Sequence, residues 1–423
     1  VRTCSALSLL GRQLRLLRAY ALLTYPFACV PFLYLFFAAH GLSADGYGLV
    51  IAVYYLAMFG AEVPTGIATD RFGTKPMLVL GPLCLALGFA VLWLWPCLPG
   101  FVTGEALLGL GHAALSGPPA TILYESLREH GEQHRFLAEE SRMHGLRLLG
   151  TGSAFLLGGA LAELLGDSGG PALGASIPLT CALTVAAAVV ALWLRPEPGH
   201  PALPLRVFAR SVAEDLAHPP VRWLLAYWIV LFALLRFPFH DYQPYLDAAR
   251  AQEPLFGNQF AVGVLYALLN LLAAPLSFLV PALVARCGRR LLFWGMPLLL
   301  CASLLVMAWE RATTADGGGS RALAWLGVSM FFVQQVPFGM HWALLQEFIN
   351  HRIRPAGRTT VMSALSLGAR LCYAVVNVLL FAVQSAHGMA TALLVAGCGG
   401  ALATCAVLWL RPRGLLRGEG PVA

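Results

Sequence analysis

Lysine is almost missing from this chain: Lys75 stands alone against 27 arginines, and charged residues of all types make up only 12% of the 423 positions. A soluble domain carries about 25% charged residues. With 58% of its residues hydrophobic, a water-soluble fold of this size would expose apolar surface on an aggregating scale. The shortage of charge therefore excludes a soluble protein and points to an integral membrane protein. Long polar stretches are missing too, which leaves no room for a large soluble domain. The ten cysteines are scattered, with no C-x-x-C and no His/Cys cluster, so neither a disulfide framework nor a metal site is expected. There is no phosphate-cradling glycine loop and no G-x-S-x-G elbow. An enzyme, a bound cofactor and ATP-driven work are not expected. A cleavable leader pattern is absent as well; Arg12-Gln-Leu-Arg15-Leu-Leu-Arg18 reads as a basic interfacial turn before an uncleaved span. The arginine bias suggests a GC-rich genome and Val1 a GTG start, both pointing to a bacterium.

What is present is a series of apolar runs. A spanning helix needs roughly 20 such residues, and the length accommodates about twelve. The runs fall at about 19–40, 46–69, 76–97, 100–127, 136–163 and 171–195, then at 220–246, 257–285, 290–310, 321–348, 359–385 and 388–411. The net charge of +7 follows from topology and not from nucleic-acid binding. About 23 of the Lys and Arg residues fall on one side, with only Arg250, Arg311 and Arg321 in opposite loops; the positive-inside rule then puts both termini in the cytoplasm. The longest polar stretch, with Pro196, Pro198, Pro201 and Pro204 ahead of Arg206 and Arg210, suggests a short helix on the membrane surface. It divides the chain into a first six-helix half at 1–195, a linker at 196–219 and a second half at 220–423. An internal repeat supports that division: Asp70-Arg71-Phe-Gly73-Thr-Lys75 aligns with Ala285-Arg286-Cys-Gly288-Arg-Arg290, Glu125 with Glu347, Arg135 with Arg358, and Arg147 with Arg370.

The most informative segment is Gly66-Ile-Ala-Thr-Asp70-Arg71-Phe-Gly73-Thr-Lys75-Pro76, a charged glycine-bearing turn between two apolar helices. It resembles the signature between the second and third helices of the major facilitator superfamily of transporters. Thr74 and Ala68 depart from the usual residues there. The resemblance implies an all-α membrane fold of twelve transmembrane helices in two pseudo-symmetric six-helix bundles, a substrate site between the halves, and transport by alternating access. The patches Gly104-Glu105 to Gly117, Leu123 to Leu127, Tyr242 to Leu246 and Arg358 to Ser363 resemble a poorly characterised bacterial branch. The family's antiporter features are incomplete: Gly150, Gly158 and Gly159 match, but Ala154-Phe155 replaces the usual Gly-Pro, and Glu105 stands where many proton-driven exporters carry arginine.

Ionisable groups inside spans cost several kcal/mol and need a partner or a task. Arg147 and Arg370 lie twelve residues beyond Arg135 and Arg358, about 18 Å deeper. In this superfamily the second and eleventh spans meet, which pairs Glu62 with Arg370. The repeat counterpart of Glu62 is Ser277, leaving Arg147 without the symmetric carboxylate and open to an anionic substrate group. Both arginines also fit as interhelical struts. Span 7 carries Arg236, one turn from His240 on the same face, followed by Asp241 and Tyr242; the alternative for Tyr242 is an aromatic belt. The expected substrate residues are Arg147, Arg236, His240, Tyr242 and Arg370. Glu62, Glu105 and Asp241 are the proton-coupling candidates. A conformational latch is expected from Gly66, Asp70, Arg71, Gly73, Lys75, Glu125, Arg286 and Glu347. His112 and His341 read as satisfied core groups. The expected function is proton-coupled export of an amphipathic drug-like compound by a monomeric antiporter in the inner membrane. The alternatives are uptake of a small anionic nutrient through Arg147, Arg370 and Arg236, or a membrane receptor that does not transport.

Overall fold

The computed structural model describes residues 2–165, 174–196, 214, 218–314, 319–352 and 358–412. The expected linker at 196–219, with its surface helix, lies mostly outside them. In a bilayer, backbone polar groups must be satisfied within the segment, so apolar runs become helices. Among the described residues there is no strand. The helices are α1 (Arg2–Leu23), α2 (Leu33–Ala39), α3 (Ala44–Phe72), α4 (Thr74–Leu94), α5 (Leu98–Ala114), α6 (Pro118–Glu129) and α7 (Phe136–Leu164). They continue with α8 (Ser176–Leu192), α9 (Pro219–Ala249), α10 (Gln259–Thr314), α11 (Arg321–Arg352), α12 (Arg358–His387) and α13 (Met389–Trp409). Among these residues nine helical segments are long and apolar enough to cross a membrane, and three shorter apolar ones lie at Val30–Ala39, Ser176–Leu192 and Gln259–Ala273.

Two expected spans are interrupted. The run at 19–40 is not one helix: α1 starts at Arg2, takes in Arg12 to Arg18, and stops at Leu23. Pro26 has no N–H to continue the ladder and pushes Tyr25 out of helical geometry. The freed carbonyl of Tyr25 accepts from Thr151 Oγ1 at 2.9 Å. The run at 100–127 breaks between α5 and α6, where Gly117 precedes Pro118. Gly73 and Gly288 occupy corresponding places in the sequence repeat, and they share a backbone conformation, φ 83°, ψ 172° and φ 76°, ψ 152°. Residues with a Cβ rarely adopt that region, so glycine is required at both turns.

The chain forms two compact units. One comprises Val1–Leu42, Val53–Leu203 and Asn258–Leu268; the other comprises Ser43–Ala52, Pro204–Gly257 and Leu269–Ala423. In the first, α4 packs on α5 and α8, and α1 packs on α7. In the second, α9 packs on α11, α12 and α13, so its side chains occupy the middle of that unit.

The α1–α7 region shows how close the helices come. A Cβ on Gly158 would overlap the backbone carbonyl of Ala28, whereas one on Gly152 would meet open space. Backbone cannot step aside as a side-chain tip can. Gly158→Ala is therefore expected to cost about 1–3 kcal/mol and to lower the apparent melting temperature in detergent, with Gly152→Ala unchanged as the control.

Candidate functional site

Polar chemistry in the second unit concentrates on α9. Trp228, Phe232, Arg236 and His240 recur every four residues, which aligns them as one stripe along the helix. The Arg236 guanidinium lies over the Phe232 ring, 5.4 Å from its centroid. It is close enough to His240 and to His341 of α11 to act on both imidazoles electrostatically. Trp228 stacks on His341 with centroids 5.5 Å apart and planes 15° apart. His341 Nδ1 lies 2.6 Å from the Phe338 carbonyl; a carbonyl only accepts, so Nδ1 holds the proton. The expected shared face of Arg236 and His240 is therefore present, together with two rings, Trp228 and Phe232, and a histidine that the sequence reading did not join to it.

Asp241 points elsewhere. The residue is fully buried, and neither carboxylate oxygen makes a hydrogen bond of ordinary geometry among the described residues. The polar side chain facing it is Gln384 of α12. Tyr242 is buried as well, not placed in an interfacial belt. Its hydroxyl donates to Gln334 Oε1 at 2.8 Å and accepts from Gln335 Nε2 at 3.3 Å, and its ring stacks on Phe331 at 4.0 Å. Gln334 Nε2 in turn donates to Ser303 Oγ at 2.9 Å. This network locks the register of α9 against α10 and α11.

A second buried group was misplaced in the sequence reading. Arg311 is not in a loop: it ends α10 with 7% of its side chain exposed, paired with the fully buried Glu310. Tyr245 Oη donates to the same carboxylate, and the Arg311 guanidinium lies 4.9 Å from the Tyr245 ring centroid. Adjacent residues of opposite charge ending an apolar run were the signal available.

In the first unit Arg147 is not short of a carboxylate. It pairs at 2.9 Å with Glu140, two turns earlier on α7, beside a cavity with room for about one water that Leu17, Tyr20, Thr24 and Met143 also line. The buried Glu139 collects Arg18 of α1 at 2.7 Å, with Arg135 and Arg142 at 3.4 and 3.2 Å. Glu105 is buried near Cys29, and Glu62 is half-buried on α3. His112 stacks on Tyr25 at 5.5 Å and bonds the Leu108 carbonyl at 3.0 Å, in keeping with a satisfied core histidine.

The expected latch residues have separate surroundings. Gly66, Asp70 and Arg71 are exposed, and Arg71 lies 5.4 Å from the Phe72 ring centroid. Gly73 caps α4, and Lys75 Nζ donates to the Leu192 carbonyl at 2.7 Å, where the C-terminal end of α8 favours a cation. Glu125 pairs with Arg128 of its own helix. Arg286 is exposed, Arg370 is half-buried on α12, and the Glu347 side chain lies outside the described residues.

One titrating group sits in a connection and not in a span. Glu253 accepts from Trp325 Nε1 at 2.7 Å and the Leu255 N–H at 3.3 Å, and it pairs with Arg321. Loss of water opposes its charge, but the Trp325 and Arg321 hydrogen bonds prevail and hold its carboxyl below the ordinary glutamate value. A lowered value means stability present above the unfolded-chain value and lost as pH falls through the folded one. Arg321 is largely exposed, so the effect is small. The melting difference between the native chain and Glu253→Gln is expected to stay constant from about pH 6 to 8 and to close below about pH 4.

The family model of the Major Facilitator Superfamily matches residues 16–376. The Inner membrane transport protein YajR of Escherichia coli is 32% identical over 92 residues, 22% of this chain and 20% of that protein. The Multidrug resistance protein MdtH of Yersinia enterocolitica is 37% identical over 105 residues, 23% of this chain and 24% of that protein. The matched stretch thus spans about a fifth to a quarter of these curated relatives. The fold is similar to that of a point mutant of the nucleoside transporter NupG, with a TM-score of 0.75 at 13% identity over 94% of this chain and 99% of that one. A POT family transporter in complex with a thioalcohol-conjugated peptide gives 0.72 at 13%, over 94% and 96%. The apolar helices and the family match together describe a multi-pass membrane protein. The chain belongs to the Major Facilitator Superfamily.

Proposed function

We propose that this chain exports an amphipathic small molecule in exchange for protons, with Asp241 as the proton carrier. The observation that carries the reading is the sealed Asp241 carboxylate, which makes no ion pair among the described residues and is faced by the neutral Gln384 side chain. An ionised carboxylate in such a place is costly unless paired. Its neutral form is tolerated there, and its ionised form calls for water. Gain and loss of one proton therefore favour two different surroundings, which is the differential stabilisation that alternating access needs. Glu62, which is less enclosed, and Glu105 are the weaker candidates. MdtH is named a multidrug resistance protein, and a drug-like substrate is carried over from that resemblance. The working molecule is a monomer in the inner membrane with both termini in the cytoplasm. Its halves are 1–195 and 220–423, joined at 196–219. The loop Gly66 to Lys75, with Glu125, Arg286 and Glu347, stabilises one state of the cycle.

A second reading, uptake of a small anionic nutrient, is favoured by Arg236, which has no carboxylate partner among the described residues. Proteoliposomes loaded with a pH-sensitive dye and exposed to a panel of amphipathic compounds test both. Protons released outward from the lumen as compound enters it support exchange in the proposed sense. Protons entering together with an anion support uptake, and compound-independent pH overturns proton coupling.

A further inference from the structure

Arg236 is a half-buried arginine of a membrane span that no carboxylate neutralises among the described residues. The ion pairs of the second unit's described residues involve Arg250, Arg311 and Arg321, and not Arg236. The acid nearest in sequence, Asp241, makes no hydrogen bond to it. A guanidinium at this depth costs several kcal/mol unless it has a task. Its surroundings are arranged around it. Phe232 lies beneath it at 5.4 Å. Buried Trp228 holds the His341 ring flat at 5.5 Å. The Phe338 carbonyl accepts from His341 Nδ1, which leaves Nε2 as the unprotonated, accepting nitrogen of the neutral ring. Phe338, itself half-exposed, lies 5.7 Å from His341 and offers apolar surface next to the two polar groups. The polar groups gathered here, Arg236 and His341, come from two different helices and share no carboxylate among the described residues.

We propose that Arg236 reads the substrate's acidic group beside the apolar surface of Phe338, and that the substrate is an organic acid with an apolar or aromatic body. A carboxylate matches the two-pronged guanidinium geometrically, and its single charge balances the one fixed cation. A phosphate monoester would bring nearly two. The apolar body lies along Phe338. Phe232 is a positioning residue that lies against the guanidinium where the acid meets it, and Trp228 holds the neutral His341 ring beside them. The inference rests on the chain's being a small-molecule transporter, but not on proton coupling.

Equilibrium binding to the purified full-length chain in lipid nanodiscs tests it, using radiolabelled 2-naphthoate with unlabelled benzoate, octanoate and the neutral 2-naphthamide as competitors. The acids are expected to bind saturably, and naphthamide at least about tenfold more weakly, as befits the loss of a charge-assisted hydrogen bond. Arg236→Ala is expected to weaken naphthoate by about tenfold or more, and Arg236→Lys, which keeps the charge without the fork, by less. Arg250→Ala, on an exposed connection, is the unchanged control, and Arg236→Lys guards against misfolding. Equal binding of naphthoate and naphthamide, or no saturable binding of any acid, overturns the proposal. Binding uses no gradient, so retained acid binding without proton flux removes only the coupling assignment. Proton flux driven by neutral or cationic compounds without acid binding removes only this site.

Discussion

Asp241→Asn is expected to abolish ligand-driven proton movement in proteoliposomes, down to the level of protein-free liposomes, while leaving the fold intact. Asparagine has nearly the shape of the protonated acid and no charge to desolvate. The variant should therefore melt no lower than the native chain, since the site that Asp241 occupies is fully buried and gives its charge no ion-pair partner among the described residues. Substrate-for-substrate exchange with no imposed gradient should survive, because it needs the loaded carrier to reorient and not to lose a proton. That split separates a coupling residue from a structural one. Glu62→Gln and Glu105→Gln, measured beside it, should keep proton flux. If Asp241→Asn still moves protons and Glu105→Gln does not, the carrier is in the other unit.

Removing the Glu310 carboxylate should be the most destabilising single change in the second unit. Glu310 is 0% exposed, and its oxygens accept from Arg311 Nε at 2.6 Å and from the Tyr245 hydroxyl. Glu310→Ala leaves a buried guanidinium without a counter-ion, and breaking such a pair costs about 3–5 kcal/mol. The double variant Glu310→Ala with Arg311→Met removes both charges, so most of the loss should return. Thermal unfolding of the native chain and these two variants in one detergent measures this. Equal losses in the single and the double variant would show that the pair's charge is not what matters there. Gly327 reports on the same cluster, since a Cβ there would overlap the Tyr245 hydroxyl. Gly327→Ala should therefore act in the same direction through Tyr245.

Helices α7 and α9 separate what was legible along the chain from what was not. The apolar lengths and the charged glycine turn at Gly73 were legible because membrane helices are specified by local composition and by backbone conformation. The same is true of Gly288, whose repeat relation to Gly73 appears again as a matching positive φ. Arg236 and His240 were joined by helical spacing alone. The pairing of Arg147 was not legible, because a carboxylate was sought on another helix while Glu140 stood two turns back on its own. Tyr242 was open between belt and cavity, because spacing says which face a residue occupies but not what lies opposite. The break after Leu23 had its signal in Pro26, which an apolar count passes over.

By itself the sequence determined that this chain crosses a membrane many times, where most of its apolar runs fall, and where Gly73 and Gly288 turn it. Hydrophobic length, glycine and proline act locally, so they are readable along a line. Only the tertiary structure decided which of its ionisable groups are compensated. Arg147, Arg18 and Arg311 have carboxylates, whereas Arg236 and Asp241, five residues apart on one helix, do not have each other. Neutralising a buried charge depends on side chains approaching to within about 4 Å, and those approaches are set by how helices pack.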